Sequence, residues 1–155
     1  MLFAVWAWRP LEMRLEKRIL VVDDDDAIRA LLRTVLRRRG FVVDTARNGV
    51  EALEEIGARR YALIVLDLMM PLMSGFELLE KLGTESMMTR PRVLILTAGL
   101  DPRPFDSTLV VGTMHKPFDV ELLLDTIAGC LTSVEALAQP EEKNVAAEAA
   151  APLLN

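Results

Sequence analysis

Apolar residues fall along this chain in short unbroken runs that alternate with stretches at helical spacing, from about Leu15 to Leu131. Arg18 to Val22 (Arg-Ile-Leu-Val-Val) is a β-branched run that ends in acids, the pattern of a strand buried on both faces. Ile28, Leu31, Leu32, Val35 and Leu36 then recur at helical spacing, and Gly40 supplies the stop. Phe41 to Ala46 reads as a second strand, Asn48-Gly49 as a turn, and Val50, Leu53 and Ile56 as a short helix. The strongest strand pattern is Tyr61 to Leu66, an apolar run that ends at Asp67. Pro71 and Gly75 punctuate the loop after it, and Phe76 to Leu82 makes another helix. Pro91 opens a fourth strand, Arg92 to Leu96, a fifth is expected at Leu109 to Met114, and Asp119 caps a last helix to Leu131.

Strands that alternate with helices imply an α/β fold, a doubly wound five-stranded parallel sheet with helices on both faces. All strand carboxyl ends then lie at one edge, and ligands of such folds bind in the crevice beyond it.

The flanks differ. Residues 1–13 form an apolar, aromatic extension too short to span a membrane, without the basic start or cleavage site of a signal peptide. A docking segment, a disordered extension and a true start at Met13 all stay open as readings of it. The globular domain is placed at 14–131. From Thr132 the chain turns polar and Ala-rich, and 132–155 reads as a disordered tail or frayed helix with no second domain.

At 155 residues there is room for one ordinary domain, and 52% apolar residues suit a well-buried core. A net charge of -5 argues against direct nucleic-acid binding by bulk electrostatics. The basic stretch Arg37-Arg38-Arg39 falls in the last turn of a helix, where cations complement the dipole. The single cysteine, Cys130, excludes an internal disulfide, and the lone His115 excludes a His-rich metal site. A cytoplasmic location is the default, with no membrane contact.

Chemistry concentrates at the strand ends. The first strand ends in Asp23-Asp24-Asp25-Asp26, the third in Asp67, the fourth in Thr97-Ala98, and the fifth leads into His115-Lys116-Pro117. Taken singly, each has a plain alternative: an Asp run before a helix is a capped turn, and Asp26 reads as that cap. Taken together at successive strand ends, they place several carboxylates, a hydroxyl and an ammonium in one crevice. Carboxylates so gathered repel by as much as ~4 kcal/mol per close pair at intermediate dielectric. A hard divalent cation among the oxygens relieves that repulsion, and magnesium fits because it binds through one or two carboxylates plus waters and phosphate oxygens.

Ile19 to Asp24, Val65 to Gly75, Val93 to Ala98 and Lys116-Pro117-Phe118 closely resemble the signature blocks of response-regulator receiver domains of two-component signalling, the chemotaxis-receiver type. The resemblance covers roughly Leu15 to Leu131 and implies a flavodoxin-like fold. It further implies that Asp67 is the phospho-acceptor and that Asp23 and Asp24, with Asp67 and the backbone carbonyl of Met69, hold Mg²⁺, for which Mn²⁺ can substitute. Thr97 would contact the phosphoryl group and Lys116 would pair with it, the cis-capable Lys116-Pro117 bond orienting that loop. The donor would be a phosphohistidine on a histidine kinase or histidine phosphotransfer protein. The implied product is a single-domain regulator, monomer or weak dimer, that switches affinity for a partner protein and is not an enzyme beyond its own phosphorylation and dephosphorylation.

The pattern departs from the family in one region. Receivers carry an aromatic residue three before the lysine, where this chain has Thr113. The segment between Thr97 and Lys116 is short and contains Asp101-Pro102-Arg103-Pro104, so a stunted or irregular fourth helix is expected there. The Ala-Gly-Ala type turn usual before the fifth strand is replaced by Val110-Val111-Gly112. A scaffold that keeps the fold and signals by binding alone is therefore a second reading. Other uses of the fold fare worse: a haloacid-dehalogenase-type phosphatase needs an Asp where Met69 stands, and a flavodoxin-like protein needs hydroxyls where the first strand ends in aspartates.

Overall fold

The computed structural model describes residues 18–85, 91–99 and 104–137. The extension at 1–13, Met13 and the tail beyond 137 lie outside the described residues.

Five strands form one parallel sheet: β1 (Arg18–Val22), β2 (Val42–Ala46), β3 (Leu63–Asp67), β4 (Arg92–Thr97) and β5 (Val110–His115), in the spatial order β2-β1-β3-β4-β5. The helices are α1 (Asp26–Arg38), α2 (Gly49–Ala58), α3 (Gly75–Gly83) and α4 (Val120–Leu137). The side chains of β1, β3 and β4 alternate between two apolar clusters, which explains why these strands read as unbroken apolar runs rather than as alternation. One cluster joins Ile19, Val21, Leu63, Val65, Leu94 and Leu96 to Leu32 and Leu36 of α1 and to Leu123, Leu124 and Ile127 of α4. On the other face Leu20, Val22, Ile64, Leu66, Val93 and Ile95 pack against Ala52 of α2 and against Leu78, Leu79 and Leu82 of α3. Helices cover both faces, as the alternation of patterns implies.

Local signals set the helix ends. Gly40 takes φ +87° just past α1, a conformation that glycine adopts without strain, and Arg37 and Arg38 lie in the last turn as expected. Asp119 accepts from the Leu122 N–H at 2.8 Å and caps α4. Asn48 does the same for α2, taking the N–H groups of Val50 and Glu51 at 2.9 and 3.0 Å.

Two details differ from the sequence reading. Asp26 is not the cap of α1: Asp25 accepts from Ala27 and Ile28, while Asp26 is already in the first turn and pairs with Arg29. Consecutive aspartates leave the cap position open, and only the backbone, extended at Asp25, selects it. The last helix continues past Leu131 to Leu137. The described part of the connection between β4 and β5 contains a turn just before β5 and no helix, so it is irregular; Asp101, Pro102 and Arg103 lie outside the described residues.

Candidate metal and phosphoryl site

Strand register builds the site. Val22 lies level with Leu66, and Asp67 with Leu96, so Asp23, Asp67 and Thr97 leave three neighbouring strands at nearly the same height. Asp23 and Asp67 are buried and Asp24 is exposed, and one oxygen of each lies within 4.8 Å of the others. Among the described residues this is the cluster able to hold a metal ion. Its donors are hard oxygens and no nitrogen or sulfur ligand enters, which fits Mg²⁺.

Lys116 joins the cluster from the end of β5. Its Nζ lies 2.6 Å from Asp23 Oδ2 and 3.5 Å from Asp67 Oδ2. Its backbone N–H donates to the Thr97 carbonyl at 2.8 Å, which ties its loop to the end of β4, and the next peptide bond, Lys116-Pro117, is cis. Burial opposes the lysine's charge, but the hydrogen bond and charge of Asp23, together with the charge of Asp67, outweigh it and hold the ammonium above its ordinary pKa. Burial also pushes the Asp67 carboxyl above the usual carboxylate range. The Met69 N–H pulls the other way, Asp23 adds to the rise, Lys116 opposes it and Asp24 adds again. A carboxylate so placed has the Lys116 ammonium beside it to pair with further negative charge.

The structure therefore brings together Asp23, Asp24, Asp67 and Lys116. Met69 touches the site through its N–H, which donates to Asp67 Oδ1 at 3.2 Å, while its side chain is exposed. Thr97 is buried at the adjacent strand end, but its hydroxyl donates to the Gly99 carbonyl at 3.2 Å and accepts from the Gly99 N–H at 3.3 Å. To reach an anion on Asp67 it would exchange these bonds within its own loop. Thr113, where the resemblance implies an aromatic residue, is exposed on β5.

Two residues that the sequence reading did not assign support the site. A Cβ on Gly75 would lie 2.4 Å from the Asp67 carbonyl oxygen and 2.7 Å from Leu68 Cα, so only glycine lets α3 start against the end of β3. Gly75 also donates its N–H to the Leu68 carbonyl at 3.0 Å. Arg29, 8% exposed, lies on the buried stripe of α1 with Leu32 and Leu36, and its Nη1 donates to the Asp23 carbonyl at 2.6 Å. An arginine at helical spacing with buried leucines was the signal available in the sequence.

The family described as "Response regulator receiver domain" matches residues 19–128. Among curated proteins, the response regulator MprA of Mycobacterium ulcerans is 40% identical over 114 residues, which cover 69% of this chain and 47% of that protein. The transcriptional regulatory protein CpxR homolog of Haemophilus influenzae is 40% identical over 108 residues, 61% of this chain and 47% of that protein. The chain thus spans about half the length of these relatives. Among solved structures, the response regulator TrrA of Thermotoga maritima, in complex with Mg²⁺ and BeF, aligns with a TM-score of 0.66 at 34% identity, covering 74% of this chain and 99% of that one. A CheY-like receiver domain protein of Methanospirillum hungatei aligns with a TM-score of 0.69 at 28% identity, covering 78% and 98%.

Proposed function

Because the chain belongs to the response regulator receiver domain family of two-component signalling, we propose that it accepts a phosphoryl group on Asp67 and so changes its affinity for a partner protein. The observation that carries this reading is the convergence of three carboxylates within 4.8 Å beside the Lys116 ammonium. The donor is a phosphohistidine on a kinase or phosphotransfer protein. An Asp67 carboxylate oxygen attacks phosphorus in line, the new P–O bond forms as the P–N bond breaks, and the electron pair leaves on the imidazole, which takes up a proton. Such transfer is mainly positioning plus neutralisation of the equatorial oxygens.

Asp23, Asp24 and Asp67 would hold Mg²⁺, or Mn²⁺ in its place, with the Met69 carbonyl completing the protein's share. The ion supplies charge neutralisation for the transferring phosphoryl group. Lys116, already bonded to Asp23 and close to Asp67, is placed to pair with a phosphoryl oxygen. Thr97 then has an anion to donate to in place of the Gly99 carbonyl, and that exchange of partners is the first movement of the switch.

The test is incubation with a small acyl phosphate and Mg²⁺, followed by intact mass spectrometry. Wild-type protein should gain one phosphoryl group and Asp67→Asn none; an unmodified wild type overturns the reading. The exposed Thr113 and the irregular β4–β5 connection favour a second reading, an adaptor that signals by binding alone. Partner capture indifferent both to phosphodonor and to Asp67→Ala would select it.

A further inference from the structure

Arg29 stands in a place where a cation is costly. It lies in the first turn of α1, where the helix dipole already presents positive charge, it is largely buried, and its neighbours include the acids expected to bind a divalent cation. Something must compensate, and the hydrogen bonds indicate what. The backbone N–H of Asp23 donates to the Ala46 carbonyl at 3.2 Å, its Oδ1 accepts from the Asp25 N–H at 2.9 Å, and its Oδ2 takes Lys116 at 2.6 Å. The carbonyl is the remaining polar handle, and Arg29 Nη1 holds it at 2.6 Å. That carbonyl belongs to the peptide joining Asp23 to Asp24, so its orientation decides where the exposed Asp24 projects. The other arm of the guanidinium pairs with Asp26, which neutralises the arginine's charge.

We infer that Arg29 is a positioning residue for the metal: it locks the Asp23–Asp24 peptide so that both carboxylates face Asp67, and Asp26 cancels the charge this would otherwise bring against the cation. The inference rests on the reading of Asp23, Asp24 and Asp67 as a Mg²⁺ site. It gives the arginine a sign that a purely electrostatic role does not share. Removing a repelling cation would tighten Mg²⁺ binding, whereas removing a tether weakens it.

The experiment is calorimetric titration of the full chain with Mg²⁺, without phosphodonor, at neutral pH. Arg29→Ala should weaken binding by about tenfold, in the range found when outer-shell partners of metal ligands are lost. Arg29→Lys, which keeps a donor within reach of the carbonyl, should recover most of that loss. Asp26→Asn, at an exposed position, should also weaken binding, because it leaves the guanidinium charge uncompensated. Phosphorylation of Arg29→Ala should return to the wild-type rate at saturating Mg²⁺, which a general loosening of the fold would not allow. Unchanged or tighter Mg²⁺ binding by folded Arg29→Ala overturns the inference, as does tighter binding by Asp26→Asn. If Arg29→Ala fails to fold, Asp26→Asn decides alone: weaker Mg²⁺ binding supports the inference, and unchanged or tighter binding overturns it. A wild type that binds no Mg²⁺ overturns the reading of the acid cluster itself, and with it this inference.

Discussion

At the scale of single residues, the site is a balance between burial and charge. Asp67 is more readily protonated in the folded chain than in the unfolded one, chiefly because it is buried. Its ionisation therefore costs the fold stability above its folded pKa, and the cost vanishes once pH is low enough for both states to hold the proton. Without metal, Asp67→Asn should melt at a higher temperature than wild type at neutral pH, and the gap should close as pH falls through the carboxylate range; melts in chelator at several pH values check this. Gly75 is constrained by contact instead. Its missing Cβ leaves the space that the Asp67 carbonyl occupies. Gly75→Ala should cost about 1–3 kcal/mol in denaturant unfolding, as overpacking does, and should weaken Mg²⁺ binding because the backbone that must give way carries Asp67.

At the scale of elements, helix starts decide what the loops can do. α1, α2 and α3 begin next to the site or to its supporting loops, and each is capped by a side chain: Asp25, Asn48 and Ser74. Ser74 forms a capping box with Glu77, its N–H donating to Glu77 Oε2 at 2.8 Å and its hydroxyl accepting from the Glu77 N–H at 3.3 Å. Asn48 is buried, and Asn48→Ala should lower stability by about 1 kcal/mol, read as a shift in urea midpoint at unchanged slope. The Gly49 N–H donates to the Met73 carbonyl at 3.0 Å, so α2 is fastened directly to the loop that follows Asp67. The described part of the β4–β5 connection is framed by a turn of its own, in which Asp106 Oδ1 accepts from the Thr108 N–H at 2.8 Å and the Asp106 carbonyl from the Leu109 N–H at 3.0 Å. A stack of Phe76 on Phe105, with centroids 6.4 Å apart, ties it to α3.

At the scale of the molecule, the parallel sheet turns strand order into chemistry. Three adjacent strands end together, and acids distant in sequence meet because each leaves its strand at the same edge. In the absence of a cation their mutual repulsion is borne by the fold, eased by Lys116. Mg²⁺ held as proposed would favour the folded arrangement, because the unfolded chain does not bring Asp67 to Asp23 and Asp24. At a hundredfold excess over its dissociation constant it should add about 2.7 kcal/mol of stability, and chelator should remove that gain in a thermal melt. Among the described residues no helix is long and apolar enough to cross a membrane.

Much of this was legible in the sequence, and the reason is local. Unbroken apolar runs, helical spacing, Gly40 and Asp119 are read from neighbours along the chain, and they fix the alternation of strands and helices. Asp23, Asp24, Asp67, Thr97 and Lys116 were legible because a parallel sheet sends every strand end to one edge. What only the tertiary structure decided depends on contacts across the chain. Among four consecutive aspartates it made Asp25 the cap and set Asp26 against Arg29. It turned the Thr97 hydroxyl to Gly99, gave Gly75 a steric reason, and placed a buried guanidinium on the Asp23 carbonyl. Spacing assigns residues to an edge; the orientation of a peptide plane or a hydroxyl is settled only by what packs against it.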